Sequence, residues 1–179
     1  ADSLRAVFIA GAVGLVAMLL FLVAYYRSIA LIIVTGLTIW GSLVFSLAAL
    51  VSQWTNYALS LAGITGIIVA IGVTVDSYLV LFERLKDEVR AGRSPRNSGP
   101  RSFASTWRTI VSADLVSIFA SSILFWLSVG SVKGFALYLG LTTLCDLVVC
   151  WFFTKPATIL FTRRLAVEHG NILGLGGAK

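Results

Sequence analysis

Three aspartates lie inside stretches of the chain that are otherwise apolar: Asp76, Asp114 and Asp146. Placing an aspartate near the centre of a membrane-spanning helix costs about 2.5–3.5 kcal/mol on insertion scales. A carboxyl group held away from water favours its protonated form, and a second carboxyl nearby strengthens that preference. The three aspartates therefore indicate proton binding, and we expect them to act as a proton relay.

Asp76 and Asp114 are predicted to lie at similar depths on two consecutive, antiparallel helices. At about 1.5 Å of rise per residue, Asp76 is roughly 9 Å from the cytoplasmic end of its helix. We expect Asp76 and Asp114 to face each other, and Asp146 to lie nearer the middle of the bilayer. In the alternative interpretation, each aspartate is protonated and does no more than hydrogen-bond a Ser or Thr on the next helix.

Composition places the chain among polytopic membrane proteins. Of its 179 residues, 58% are hydrophobic and only 12% are charged, and the mean hydropathy is +0.94. These values lie outside the range of soluble globular domains. A net charge of +6 in a soluble protein would suggest a nucleic-acid partner. Here the basic residues are sorted by loop instead, and we expect no nucleic-acid partner.

Five apolar stretches are long enough to cross about 30 Å of hydrocarbon as helices of roughly twenty residues. They are predicted at 4–26, 29–51, 57–82, 109–129 and 134–153. We expect an all-α, polytopic helical bundle over residues 1–165, followed by a cytoplasmic tail at 166–179. The connection at 83–108 is predicted to begin as a helical turn or two, to stop near Gly92, and to continue as a flexible basic loop.

Basic residues predict the orientation. Twelve of the fourteen Lys and Arg residues fall on one side of the five predicted spans, which is a strong positive-inside signal. The amino end is therefore expected outside the cytoplasm and the carboxyl end inside. This orientation implies an earlier span, and an external domain, before residue 1. The basic loop is expected either to serve only as the positive-inside determinant or to contact anionic lipid headgroups as well.

Other reaction chemistry has little support in the sequence. Cys145 and Cys150 match neither a disulfide framework nor a metal pattern. His169 has no Cys or carboxylate cluster at ligand spacing, and the chain contains neither a phosphate-binding P-loop nor a second histidine for a catalytic pair. We therefore expect no enzyme activity, no metal and no cofactor other than protons.

Two motifs carry a resemblance to a known family. The segment "LAGITGIIVAIGVTVDSYLVLFERLKDEVRAG" resembles the fourth-span motif of the SecD family of protein-export subunits. In that motif a glycine-rich helix, here with Gly72, reaches an aspartate, here Asp76, and leaves the membrane through Phe82, Glu83 and Arg84.

The second motif, "SVGSVKGFALYLGLTTLCDLVV", resembles the Val-Lys-Gly-Phe-Ala turn before the last span of the family. Its central residues here are Lys133, Gly134 and Phe135. The two motifs keep the order and separation of the family, and the resemblance covers nearly all of residues 1–165. The stretch "LGLTTLCDLVV" is similar to the actinobacterial branch.

The resemblance implies an RND-superfamily fold with six spans per subunit and a large external domain between the first and second. This chain would then hold spans two to six, in a bacterial cytoplasmic membrane. In the family, SecD pairs with the pseudo-symmetric subunit SecF and works with the SecYEG channel to draw preproteins outward by means of the proton-motive force. The key intramembrane aspartate of the family falls on Asp76.

The chain departs from the family pattern at both Asp-Ala-Asn motifs. The first reads Asp76-Ser77-Tyr78, and the second, in the following span, reads Ser112-Ala113-Asp114. In the second motif the acid stands two positions later, on a different face of the helix. The family role therefore carries over to Asp76, whereas proton relay by Asp114 and Asp146 rests on their burial alone.

Two other functions remain open at this point. An RND-type exporter of lipids or drugs would also use protons, but the Phe82-Glu83-Arg84 exit and the Val-Lys-Gly-Phe-Ala turn argue against it. A passive scaffold or insertion chaperone would hold its aspartates as structural groups only. In that case replacing all three aspartates by asparagine would have no effect.

Overall fold

The computed structural model describes residues 2–26, 29–55, 60–92 and 94–165, all but a few of them in helices. The helices are α1 (Asp2–Tyr26), α2 (Ala30–Thr55), α3 (Leu61–Arg90), α4 (Pro95–Leu127), α5 (Ser131–Val149) and α6 (Lys155–Leu165), with a π-helical turn, Cys150–Thr154, between α5 and α6. The all-α architecture predicted from the sequence is confirmed. The predicted tail at 166–179, which includes His169, lies outside the described residues.

Five helical segments in the described part of the chain are long and apolar enough to cross a membrane, as the sequence predicts. The last of them, Ser131–Arg164, includes α5, the π-helical turn and most of α6. A π-helical turn contains wider i to i+5 hydrogen bonds, and such turns occur mostly as single insertions in α-helices, frequently at functional sites. Here the Thr154 hydroxyl lies 3.5 Å from the Val149 carbonyl and donates to it.

The helical continuation of the third span as far as Gly92 is confirmed, but the expectation of a flexible basic loop after it is wrong, because residues 95–108 are helical. Helix α3 continues to Arg90 and stops at Gly92, whose positive φ of 77° suits glycine, as the sequence indicates. Helix α4, however, begins at Pro95, fourteen residues before the predicted start at 109. Proline is favoured in the first turn of a helix because its fixed φ is helical and its missing N–H would have no partner there. Pro100 lies inside the helix and costs it a single hydrogen bond.

The early start of α4 is supported by packing against α6. Small and hydroxyl side chains recur every fourth residue on both helices, and all of those on this contact face are buried; they are Ser98, Ser102 and Thr106 on α4, and Thr158 and Thr162 on α6. A Cβ at Gly99 would collide with the Thr162 side chain, so the two backbones approach closely. Small residues at this spacing let membrane helices pack without intervening bulk.

Helices α3 and α5 form the other close contact of the bundle. A Cβ at Gly66 of α3 would lie 2.9 Å from the backbone oxygen of Phe135 at the start of α5. A Cβ at Gly63 would lie 2.6 Å from the Tyr138 ring, which is itself fully buried. Glycine at both positions therefore allows the backbone of α3 to approach α5 closely.

Helix α1 lies at the edge of the bundle. Among its described side chains only Leu22 and Tyr26, both in the last two turns, are buried, and they pack against Phe82 of α3. Many of its large apolar side chains, including Phe8, Val13 and Leu20, are exposed, as suits a helix in contact with lipid. The helix is thus attached to the bundle mainly through its carboxyl end.

We predict that Gly66→Ala destabilises the full-length subunit relative to Gly72→Ala. Both changes gain the same helix propensity, but a Cβ at Gly72 would meet no atom within 4 Å, whereas one at Gly66 would strike the Phe135 backbone. Overpacking of this kind costs about 1–3 kcal/mol. Thermal unfolding of the purified subunit in detergent, without partners, measures the difference. Equal melting temperatures for the two variants would contradict the close approach of α3 and α5.

Candidate functional site

Asp146 of α5 lies in the centre of the bundle. Only 3% of its surface is exposed, and its Oδ2 accepts a hydrogen bond of 3.3 Å from the Ser77 hydroxyl of α3. Thr74, one turn earlier on α3, also donates a side-chain hydrogen bond to Asp146. Helix α5 therefore holds its carboxyl group directly against the polar side of α3.

Asp114 of α4 is buried beside Asp146. Its residue surface is fully covered, and neither carboxyl oxygen has a hydrogen-bond partner among the described residues. Asp114 and Asp146 lie one helical turn from Ile110 and Cys150, which belong to the same packed cluster, so the two carboxyl groups lie on the facing sides of α4 and α5. The predicted membrane-depth aspartates of the fourth and fifth spans thus come together inside one chain.

Asp76 lies on the opposite side of α3 and is exposed. The exposed residues of α3 recur every three or four positions along one face; they are Leu61, Thr65, Val69, Gly72, Asp76, Val80, Arg84, Asp87 and Arg90. The expectation that Asp76 and Asp114 face each other is therefore wrong, because it is Asp146 that Asp114 meets. The physical reason is that successive helical residues point about 100° apart, so α3 presents Ser77 to the bundle and Asp76 away from it.

The Phe82-Glu83-Arg84 motif attaches α1 to the carboxyl end of α3. Phe82 is fully buried and packs against Tyr26. The Tyr26 hydroxyl donates a 3.2 Å hydrogen bond to Glu83 Oε2, and Lys86 Nζ lies 3.8 Å from the same oxygen. Arg84 has a different environment: it is exposed and lines an open groove of about 410 Å³ between α3 and α4.

Lys86 makes contacts that the Phe82-Glu83-Arg84 motif alone did not predict. It is only 5% exposed, and its ammonium group lies 3.9 Å from the centre of the Tyr25 ring and 4.1 Å from that of Tyr26. Two rings and one carboxylate thus surround a cation at the membrane boundary. Two features of the sequence could have predicted these contacts: Tyr25 and Tyr26 at the end of α1, and the charged residues at the end of α3.

The second motif positions the start of α5. Gly130 precedes the helix with a positive φ of 65°, which glycine adopts without strain. Lys133 Nζ lies 4.7 Å from the centre of the Phe125 ring at the end of α4, and the Phe135 backbone lies against Gly66. A Cβ at Gly134 would lie 3.0 Å from Ser60 Oγ, the cap of α3. This motif has a structural role, because it fits the α4–α5 turn against the first turns of α3.

Thr74 and Ser77 were not predicted from the sequence to be the partners of Asp146. Both are buried or half-buried on the face of α3 that meets α5. Their spacing of three residues, which places them on one helix face, was the signal that could have paired them with an aspartate elsewhere.

Comparison with known proteins gives the class to which this bundle belongs. A profile of the MMPL family matches residues 2–170, so the chain belongs to the MMPL family. Within that class its membrane bundle is of the SecD type, in agreement with the resemblance in its two motifs.

Protein translocase subunits named SecD are among the relatives that match the chain. The chain is 45% identical over 178 residues to the protein translocase subunit SecD of Mycobacterium tuberculosis, covering 99% of this chain and 31% of that protein. It is also 45% identical over 170 residues to SecD of Streptomyces coelicolor, covering 95% of this chain and 30% of that protein. These two relatives support the actinobacterial branch. The chain spans about a third of the length of the relatives it matches.

A solved structure shares the fold. The crystal structure of SecDF, a translocon-associated membrane protein from Thermus thermophilus, matches 92% of this chain and 22% of that one, with a TM-score of 0.79 and 28% identity. The super-membrane-facing form of SecDF gives a TM-score of 0.80 with 26% identity. The five-span arrangement described above is thus that of a SecDF membrane region.

We predict that Glu83→Ala destabilises the subunit by about 1–3 kcal/mol, because it removes the acceptor of Tyr26 and leaves Lys86 buried without its carboxylate. Asp87→Ala is the matched control, since Asp87 is an exposed acid one turn further along α3. Thermal unfolding of the purified full-length subunit compares the two. A loss of stability as large in Asp87→Ala as in Glu83→Ala would contradict the role given to Glu83.

Proposed function

We propose that this chain is the membrane part of a SecD-type subunit that uses the proton-motive force to promote the export of preproteins, in association with SecF and the SecYEG channel. The observation that carries the proposal is the position of Asp76. Its carboxyl group lies at membrane depth on the exposed face of α3, the helix with the SecD fourth-span motif.

An aspartate facing lipid is too costly to be retained without a partner, at about 2.5–3.5 kcal/mol on insertion scales. The exposed face of α3 is interrupted by Thr65 and Gly72 and is therefore less bulky than a lipid-facing surface. Small residues of this kind mark faces where another membrane helix packs closely. The pseudo-symmetric SecF is the partner that we assign to this face, and Asp76 would then lie between two subunits.

Proton movement through such a site supplies enough free energy to drive a conformational change. One charge that crosses a potential of 100 mV releases about 2.3 kcal/mol, so a few protons per cycle can shift a two-state equilibrium of several kcal/mol. Protonation of Asp76 removes the only charge at membrane depth on the exposed face of α3 and so changes how α3 packs against its partner. This coupling needs no covalent intermediate.

The amino end of the chain is assigned to the outside and the carboxyl end to the cytoplasm. The segment from Arg84 to Arg108, which contains seven of the fourteen basic residues, is then cytoplasmic. The exposed basic residues on the first turns of α4, including Arg96 and Arg101, are well placed to contact anionic lipid headgroups. The SecD relatives and the SecDF fold favour this function over export of lipids or drugs.

We predict that Asp76→Asn abolishes the proton-motive-force-dependent part of preprotein export, because asparagine keeps the size of the side chain but cannot ionise. Asp87→Asn, in the exposed part of the same helix beyond the membrane, is the matched control and should retain export. The measurement is the rate of preprotein release from membrane vesicles with and without a proton gradient. The subunit should still insert and co-purify with SecF. Normal gradient-dependent export by Asp76→Asn would contradict the proposal.

A further inference from the structure

We propose that Asp114 and Asp146 form a second proton-binding site inside this subunit, a carboxyl pair in which Asp114 carries the proton and Asp146 is the carboxylate. The pair is distinct from Asp76, which lies on the other side of α3. It rests on burial and hydrogen bonding within this chain alone. It therefore stands whether or not the proposed function of Asp76 holds.

Burial excludes two ionised carboxylates at this place. Asp114 is fully covered and Asp146 is 3% exposed, and the two lie on the facing sides of α4 and α5, one turn from Ile110 and Cys150 of the same packed cluster. No basic side chain in the described part of the chain forms an ion pair with either of them. The other titratable groups that interact with Asp146 are the hydroxyl of Tyr78 and the thiols of Cys145 and Cys150, which carry no positive charge. Two neighbouring, unpaired negative charges away from water are avoided by protonation of one of them.

The hydrogen bonds show which member takes the proton. Asp146 accepts from the Ser77 hydroxyl and from Thr74, and donors of this kind stabilise a carboxylate. Neither oxygen of Asp114 receives a hydrogen bond from the described residues. A carboxylate with no donor is far less stable than a neutral acid in the same place. The proton therefore belongs on Asp114.

Asp146 has few hydrogen-bond donors, so the hydrogen bonding of its carboxyl group is sensitive to small movements of α3. The Ser77 hydroxyl has one hydrogen, yet it lies 3.3 Å from both Asp146 Oδ2 and the Val73 backbone oxygen. A small rotation of α3 would transfer that hydrogen from Asp146 to Val73. Because Ser77 follows Asp76 directly, the same rotation would move Asp76, and this link between the two sites is the one part of the inference that rests on the proposed function.

Infrared difference spectroscopy of the purified full-length SecD–SecF complex at neutral pH tests the site through the C=O stretch of a protonated carboxyl. We expect the wild type to show such a band, Asp76→Asn and Asp146→Asn to retain it, and Asp114→Asn to lose it. Asparagine keeps the size of the side chain and its amide can donate to Asp146, so Asp114→Asn should fold. Ser77→Ala removes a donor from Asp146 and is expected to shift the band without abolishing it.

Three results would overturn the proposal. A band that persists in Asp114→Asn but disappears in Asp146→Asn would reverse the two roles. A band that disappears only in Asp76→Asn would place the buried proton at the partner face. A band that is lost when sodium replaces potassium at constant pH would identify a metal-ion site. If the single variant does not accumulate, the double change Asp114→Asn with Asp146→Asn, whose two amides can bond to each other, must lose the band.

Discussion

The constraint on which this structure depends is the cost of carboxyl groups at membrane depth. Three aspartates occur there, and the fold treats them in two ways. Asp114 and Asp146 are enclosed where α3, α4 and α5 meet, whereas Asp76 is left on the exposed face of α3. Enclosure is possible because glycines let α3 and α5 approach closely and hydroxyl groups of α3 provide donors. The exposed aspartate is compatible with a bilayer only when another protein surface covers it.

Helix α3 is accordingly the element that joins the two kinds of site. Asp76 and Ser77 are consecutive, so they point to different sides of the helix, Asp76 away from the bundle and Ser77 toward Asp146. The carboxyl end of the same helix is held to Tyr26 of α1 through Glu83 and Lys86, and its amino end packs against the start of α5. A helix held at both ends with polar groups on two faces is suited to convert a change of charge into a small rotation.

The sequence predicted the all-α bundle and its five spans because length and hydropathy alone determine which segments can cross a bilayer. It failed at 95–108, where prolines and cations suggested a loop, because a proline in the first turn of a helix and small residues that face α6 are compatible with a helix there. It also failed in pairing the aspartates. Depth along a helix follows from residue number, but the direction in which Asp76 points depends on which neighbours pack against Ser77, and that is a tertiary property. The sequence also could not assign separate roles to the residues of the Phe82-Glu83-Arg84 motif. Only the structure shows that Phe82 packs in the core whereas Glu83 accepts a hydrogen bond.

The access of water to position 76 in the assembled complex is the most direct measurement of proton coupling at the partner face. Asp76→Cys, with Cys145 and Cys150 replaced by alanine, can be treated in membranes with a small hydrophilic thiol reagent in the presence and absence of SecF. Thiols react as thiolates, which form only where water reaches them. Reaction that requires SecF is the expected result, because the partner would create a wet cavity around the carboxyl. A position that reacts only with lipid-soluble reagents, whether or not SecF is present, would contradict it.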